Sequence, residues 1–88
     1  MEHQIELLVE LIHHHCRVSK KVYPLSSYGL KHIFEGLLEC YVSNDEFKVC
    51  MMLAGFHPCK RYGLNHYYKI KLIDTDEMIK EGVLYGRI

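Results

Sequence analysis

Helix start and stop signals divide this chain into short segments and so restrict it to a fold of short elements. Pro24 ends any helix that approaches it, because proline disfavours helical backbone in the preceding residue. Further along, Ser43-Asn44-Asp45-Glu46 has the spacing of a capping box, which predicts a helix beginning there. Gly55 suits the left-handed backbone that ends a helix, and Pro58 prevents re-entry. The helix between these signals is therefore short.

Two further amphipathic helices precede that segment. Residues 3–17 have apolar residues at helical spacing, which predicts a helix whose inner face carries Ile5, Leu8, Val9, Ile12 and Cys16. Residues 18–24 then form a connector, and Ser26 or Ser27 caps a second helix. The apolar positions of this second helix are Leu30, Ile33, Phe34, Leu37 and Leu38.

The last part of the chain predicts a small β element and a final helix. Residues 66–73 alternate between apolar side chains and lysines, which is typical of a half-buried strand. Asp74 begins a short helix that ends at Gly82, and the tail VLYGRI is available to pair with the strand. The prediction is a single α+β domain over residues 1–88: three N-terminal helices, a small antiparallel β element and a short C-terminal helix. The second and third helices have helix-turn-helix-like proportions.

The formal net charge of zero hides an uneven distribution. The 88 residues carry 11 Lys and Arg against 11 Asp and Glu, which argues against a generic polyanion binder. Residues 47–73, however, hold five bases and no acid, between two acidic segments. This basic stretch also contains tyrosines, a mixture that suits a nucleic-acid strand or an acidic protein surface. A solvated strand with alternating lysines is the other interpretation.

The third predicted helix is apolar on nearly every side. Phe47, Cys50, Met51 and Ala54 make one face, and the opposite side carries Val49, Met52, Leu53 and Phe56. Such a helix is either wrapped completely or lies against a partner, and complete wrapping is difficult in a small domain. It is poorly suited to reading DNA, because its first turn is acidic. The predicted partner-binding residues are Lys48, Met52, Lys60, Arg61, Tyr62, Tyr67, Lys69 and Lys71.

Zinc is a candidate cofactor. The predicted ligands are Cys40, Cys50, Cys59 and His66, with His57 as an alternative histidine. If the second and third helices pack together, Cys40 and Cys50 approach each other beneath the loop that carries the other two. A metal there would stabilise a domain of marginal size. The spacing lacks the close chelating pairs of most zinc sites, and free cysteines are also common small core residues.

Neither catalytic nor targeting motifs are recognisable in the sequence. No Ser/His/Asp order, phosphate-binding glycine loop or spaced carboxylate pair is visible, so an enzyme is not expected. Glu2, Glu6 and Glu10 stand where a secretory signal carries Lys or Arg, and no apolar run has the length of a transmembrane helix. The expected location is the cytoplasm.

Three runs carry a family resemblance: SSYGLKHIFEGLL, YVSNDEFK and MLAGFHP. Over roughly residues 25–70 the chain resembles a family of small uncharacterised proteins from phages and conjugative elements of Gram-positive bacteria. The resemblance implies a non-enzymatic protein that binds and inhibits a host protein inside the bacterial cell. Its sharpest form is an anti-CRISPR protein acting on a type II effector nuclease. The alternative is a small helix-turn-helix-like DNA-binding regulator of a mobile element.

Overall fold

This computed structural model describes residues 2–74, which contain three helices and four short strands. The helices are α1 (Glu2–His15), α2 (Ser27–Leu38) and α3 (Asn44–Leu53), and none of these three is long and apolar enough to cross a membrane. The strands are β1 (Cys16–Val18), β2 (Lys60–Tyr62), β3 (Asn65–Tyr67) and β4 (Ile70–Leu72). The α+β class is thereby confirmed. The predicted C-terminal helix and the tail VLYGRI fall in residues 75–88, outside the described part.

Helix α3 begins and ends where its sequence signals predicted. The Ser43 hydroxyl accepts the Glu46 N–H at 3.0 Å, and the Glu46 carboxylate accepts the Ser43 N–H at 3.2 Å. This reciprocal pair satisfies backbone donors that the first helical turn leaves free. At the other end, Gly55 has φ +94°, a backbone conformation that residues with a Cβ rarely adopt. Capping therefore defines the length of this helix.

The C-terminal end of the predicted first helix was wrong by two residues. Helix α1 stops at His15, and Cys16–Val18 forms β1, which pairs antiparallel with β4 in the register Cys16↔Leu72. The Arg17 guanidinium donates to the His13 and His14 carbonyls at 2.8 and 3.3 Å, which satisfies two acceptors at the helix end. Apolar spacing missed the change because it predicts only that Cys16 is buried, and Cys16 is buried as the first residue of β1.

The prediction of one strand over residues 66–73 was also wrong, although its alternation was right. The segment divides into β3, which pairs with β2, and β4, which pairs with β1 in a separate sheet. Tyr68 and Ile70 are buried while Lys69 and Lys71 are exposed, as the pattern predicted. One alternating run thus supplies two sheets, because the hydrogen-bonding partner changes at Tyr68.

The hydrophobic core lies between the three helices and the segment around Tyr68. The Phe34 and Phe47 rings, from α2 and α3, have centroids 5.6 Å apart. Around them lie the other large buried side chains: Leu8, Ile12, Leu30, Val42, Met51, Tyr68 and Ile70. Helices α1 and α2 both contact α3. The side of α3 that faces them is therefore central to the core.

A buried ion pair connects α2 to the segment that leads into α3. Lys31 is only 4% exposed, and its ammonium lies 3.2 Å from a Glu35 carboxylate oxygen. The same ammonium lies over the ring of Tyr41, 4.7 Å from its centroid. That Glu35 oxygen also accepts the Val42 N–H at 2.8 Å. The pair therefore holds the α2–α3 connector, and with it the position of α3.

Candidate binding surface

Helix α3 has two apolar sides in opposite environments. On the side that faces α1 and α2, Phe47, Cys50 and Met51 are fully buried. On the other side, Val49, Met52 and Leu53 are 45%, 55% and 58% exposed. We call these three residues the α3 outer face. The sequence left open whether this helix is wrapped, and within residues 2–74 its second side remains largely uncovered.

The second part of the surface is the hairpin of β2 and β3, residues 60–67, which we call the basic hairpin. Its two-residue loop has a positive φ at Gly63 alone, as in a type II′ turn. All three β2 residues are exposed, and so is Leu64, which is 76% exposed at the tip. The hairpin therefore presents basic, aromatic and aliphatic side chains together.

The tip of the basic hairpin is attached to the start of α3. The Asn44 side-chain amide donates to the Leu64 carbonyl at 3.1 Å, and the Lys48 ammonium donates to the same oxygen at 2.8 Å. Lys48 also lies 3.2 Å from the Asp45 carboxylate. Met52 follows Lys48 by one helical turn on the same side of α3. The hairpin tip therefore lies against the first two turns of α3, beside the α3 outer face.

Strand β3 of the hairpin packs against α2. The His66 N–H donates to the buried Ser27 hydroxyl at 3.1 Å, at the first residue of that helix. Burial lowers the pKa of His66 from its ordinary value of 6.5, and the nearby positive charges of Lys48 and Arg61 lower it further. The imidazole is therefore neutral near pH 7. The hairpin is thus held to the helices by hydrogen bonds at its tip and from β3.

The predicted partner-binding residues occupy three kinds of position. Met52 and the β2 residues Lys60, Arg61 and Tyr62 are exposed on the surface just described, and Tyr67 is half-buried beside them. Lys48 lies there too, but its ammonium is engaged within the chain. Lys69 and Lys71 are exposed outside the hairpin, near and in β4.

Leu64 was missed as a member of this surface. A leucine in a tight loop directly after glycine is the signal that identifies it, because neither strand can bury a side chain at the tip of a two-residue turn.

The four predicted zinc ligands occupy different environments. Cys50 is buried in the core, Cys40 and Cys59 are exposed, and His66 is half-buried in β3. Burial raises the pKa of the Cys50 thiol, and the neighbouring Glu46 carboxylate raises it further, which disfavours the thiolate that zinc needs. In the described part of the chain, no three His, Cys, Asp or Glu side chains gather into a group that could hold a metal ion. Zinc stays a prediction, which elemental analysis of untagged protein tests.

Comparison with known proteins identifies no relative. No family model matches the chain, and neither a curated protein nor a solved structure matches it. The family resemblance noted in the sequence stays an expectation.

Proposed function

We propose that this chain is a non-enzymatic protein that acts by binding another protein through the α3 outer face and the basic hairpin. The observation that carries the proposal is the exposure of Val49, Met52 and Leu53 side by side. Fully burying an aliphatic side chain of this size stabilises a complex by about 1.5–3 kcal/mol. Methionine adapts to irregular partner surfaces, and a polar rim around such a cluster is typical of protein interfaces.

The proposed partner is a host protein in the bacterial cytoplasm, and the proposed effect is inhibition. This part depends on the resemblance of residues 25–70 to small proteins of phages and conjugative elements. Its specific form is an anti-CRISPR protein that binds a type II effector nuclease. Binding alone is sufficient for such an inhibitor, so no catalytic group or cofactor is needed.

DNA cleavage by a guide-loaded type II effector nuclease tests this proposal. The chain is expected to slow cleavage when added in slight molar excess. Met52→Glu should raise the concentration needed for inhibition by at least about tenfold, because it places a charge in the centre of an apolar contact. Val18→Glu is the matched control, since Val18 is an apolar residue on β1 that is even more exposed than Met52, 78% against 55%. Uninhibited cleavage would exclude this partner, and full inhibition by Met52→Glu would exclude this surface.

A DNA-binding regulator is the second candidate. Residues 39–43 form a short connector between α2 and α3, and the exposed Lys60 and Arg61 follow where a winged helix-turn-helix protein places its wing. The outward side chains of α3 oppose it, because Val49, Met52 and Leu53 offer no hydrogen bonds to base edges. Binding to random duplex DNA that weakens steeply as salt rises would favour this candidate over the protein-binding proposal.

A further inference from the structure

One edge of the basic hairpin has backbone groups that point away from its partner strand. Arg61 of β2 lies opposite His66 of β3. The His66 N–H donates to the Ser27 hydroxyl on α2, so it does not point toward β2. Arg61 and His66 are therefore a non-hydrogen-bonded pair of the antiparallel ladder. It follows that the Arg61 N–H and C=O point outward, on the side of β2 opposite β3.

This outer edge is open in the described part of the chain. The sheet there contains only β2 and β3, and Lys60, Arg61 and Tyr62 are all exposed. An exposed edge strand offers a row of unpaired donors and acceptors to an incoming strand. Short length and charged side chains discourage indiscriminate pairing at such an edge, and β2 has both, because it is three residues long and carries Lys60 and Arg61. The edge can therefore accept a further strand when the charge of that strand complements these two bases.

The charge around the edge selects the kind of strand. Lys60 and Arg61 both stand on β2 and are exposed, and the sequence contains no acid between Phe47 and Ile73. A neutral or basic segment would gain nothing from this environment, whereas carboxylates gain from these two positive groups. We propose that the β2 edge binds an extended acidic segment of the partner protein as an added strand. This inference rests on the proposed protein-binding function and specifies the chemistry of the partner.

An acidic peptide fits this edge better than a nucleic-acid strand does. Arg61 presents one outward donor and one outward acceptor, and a peptide strand satisfies both. A phosphate backbone supplies acceptors only, so the Arg61 carbonyl would stay without a partner. The Tyr62 and Tyr67 rings also pack edge to face against each other, with centroids 5.8 Å apart, which limits their use as parallel platforms for bases.

The test uses the complete chain and a short probe peptide that alternates Glu or Asp with Val. Addition of this peptide is expected to protect the Arg61 amide from hydrogen exchange and to shift the resonances of β2. A probe with Gln and Asn in place of the acids should bind at least about tenfold more weakly, and so should a probe N-methylated at alternate amides. The N-methylated probe tests strand addition without altering the protein. Equal binding of all three probes would overturn the proposal.

A pair of variants separates the backbone contact from the charge. Arg61→Ala removes the guanidinium and keeps the N–H, whereas Arg61→Pro removes both. Proline is tolerated here because this N–H makes no ladder bond. Arg61→Pro should bind the probe about tenfold more weakly than Arg61→Ala, and Lys71→Ala, a charge control on β4, should bind as the unmodified chain does. If the two Arg61 variants bind alike, or if a single-stranded oligonucleotide displaces the peptide at equal concentration, strand addition by a peptide is wrong.

The same measurements distinguish this inference from the proposed function. Met52→Glu lies on α3 rather than on the β2 edge, so it should leave binding of the probe peptide unchanged while it raises the concentration needed for inhibition. Inhibition without binding of the acidic probe would overturn the edge proposal alone. Binding of the probe without inhibition would support the edge proposal and overturn the choice of effector nuclease.

Discussion

Met51 and Met52 are adjacent in sequence, identical in chemistry and opposite in environment. Met51 is fully buried against the core, whereas Met52 is 55% exposed on the α3 outer face. Successive residues of a helix differ in direction by about 100°, so a helix with apolar residues on both sides needs neighbours on both sides to bury them. Helices α1 and α2 contact α3, and the basic hairpin contacts it at its first two turns. The comparison shows that residue type alone does not decide burial in so small a domain.

The largest expected effect is the difference in stability between alanine variants of these two methionines. Met51→Ala should lower the free energy of unfolding by about 2–5 kcal/mol, because it leaves a cavity in the packed core. Met52→Ala should change it by less than about 0.5 kcal/mol, as is usual for exposed positions. Urea denaturation followed by circular dichroism measures both.

A control keeps this comparison informative even if Met51→Ala does not fold. Met51→Leu conserves volume and should cost less than about 1.5 kcal/mol, so its unfolding transition stays measurable. Equal losses for Met51→Ala and Met52→Ala would show that the two sides of α3 are equally buried, which would remove the basis of the proposed surface.

Thiol labelling extends the comparison from methionines to cysteines. Cys50 lies on the buried side of α3 and Cys16 at the start of β1, and burial raises the pKa of both thiols, that of Cys16 to about 12. Cys40 and Cys59 are exposed. In a short pulse of iodoacetamide, Cys16 and Cys50 should therefore react at least about tenfold more slowly than the two exposed cysteines.

Mass spectrometry of the labelled peptides reads the four sites separately, and a pulse in denaturant supplies the reference rates. Four equal native rates would contradict the packing of α3 against the core. Slow labelling of Cys40 and Cys59 that becomes fast after addition of a chelator would instead support the zinc prediction.

The helices were predictable because their signals are local. The capping box at Ser43, the proline at position 24 and the glycine at position 55 act on their own neighbours, so the sequence alone was sufficient to place α2 and α3. The ends of the strands were not predictable in this way. Whether Cys16 continues α1 or begins β1 depends on the presence of β4, which lies more than fifty residues away in sequence.

Only part of the candidate surface was predictable from the sequence, for a related reason. The basic stretch and the third helix with two apolar sides are patterns that the sequence shows directly. The contact between them was not predictable, because it depends on hydrogen bonds from Asn44 and Lys48 to one backbone carbonyl at the hairpin tip. Every residue has a backbone carbonyl, so the sequence does not show which carbonyl accepts these bonds. For the same reason Lys48 was predicted to bind a partner, although its ammonium is engaged inside the chain.

The smallest expected effect concerns the attachment of the hairpin to the helices through His66. Its pKa is lowered below 6.5, first by burial and then by Lys48 and Arg61, so the unfolded chain takes up a proton at a higher pH than the native chain. The contribution of this residue to stability is therefore present above the unfolded pKa of about 6.5 and is lost as the pH falls from there through the lower native pKa. Between pH 7.5 and 5.5, His66→Gln should lose less stability than the unmodified chain.

His57→Gln is the matched control, because His57 is an exposed histidine that precedes the hairpin. Its variant should keep the pH dependence of the unmodified chain, measured as the urea midpoint at each pH. Identical pH dependence for all three proteins would show that His66 is solvated like an ordinary surface histidine. The His66 side chain would then lie farther from Lys48 and Arg61, and be less buried, than in this structure, which would contradict the packing of the β3 side chains.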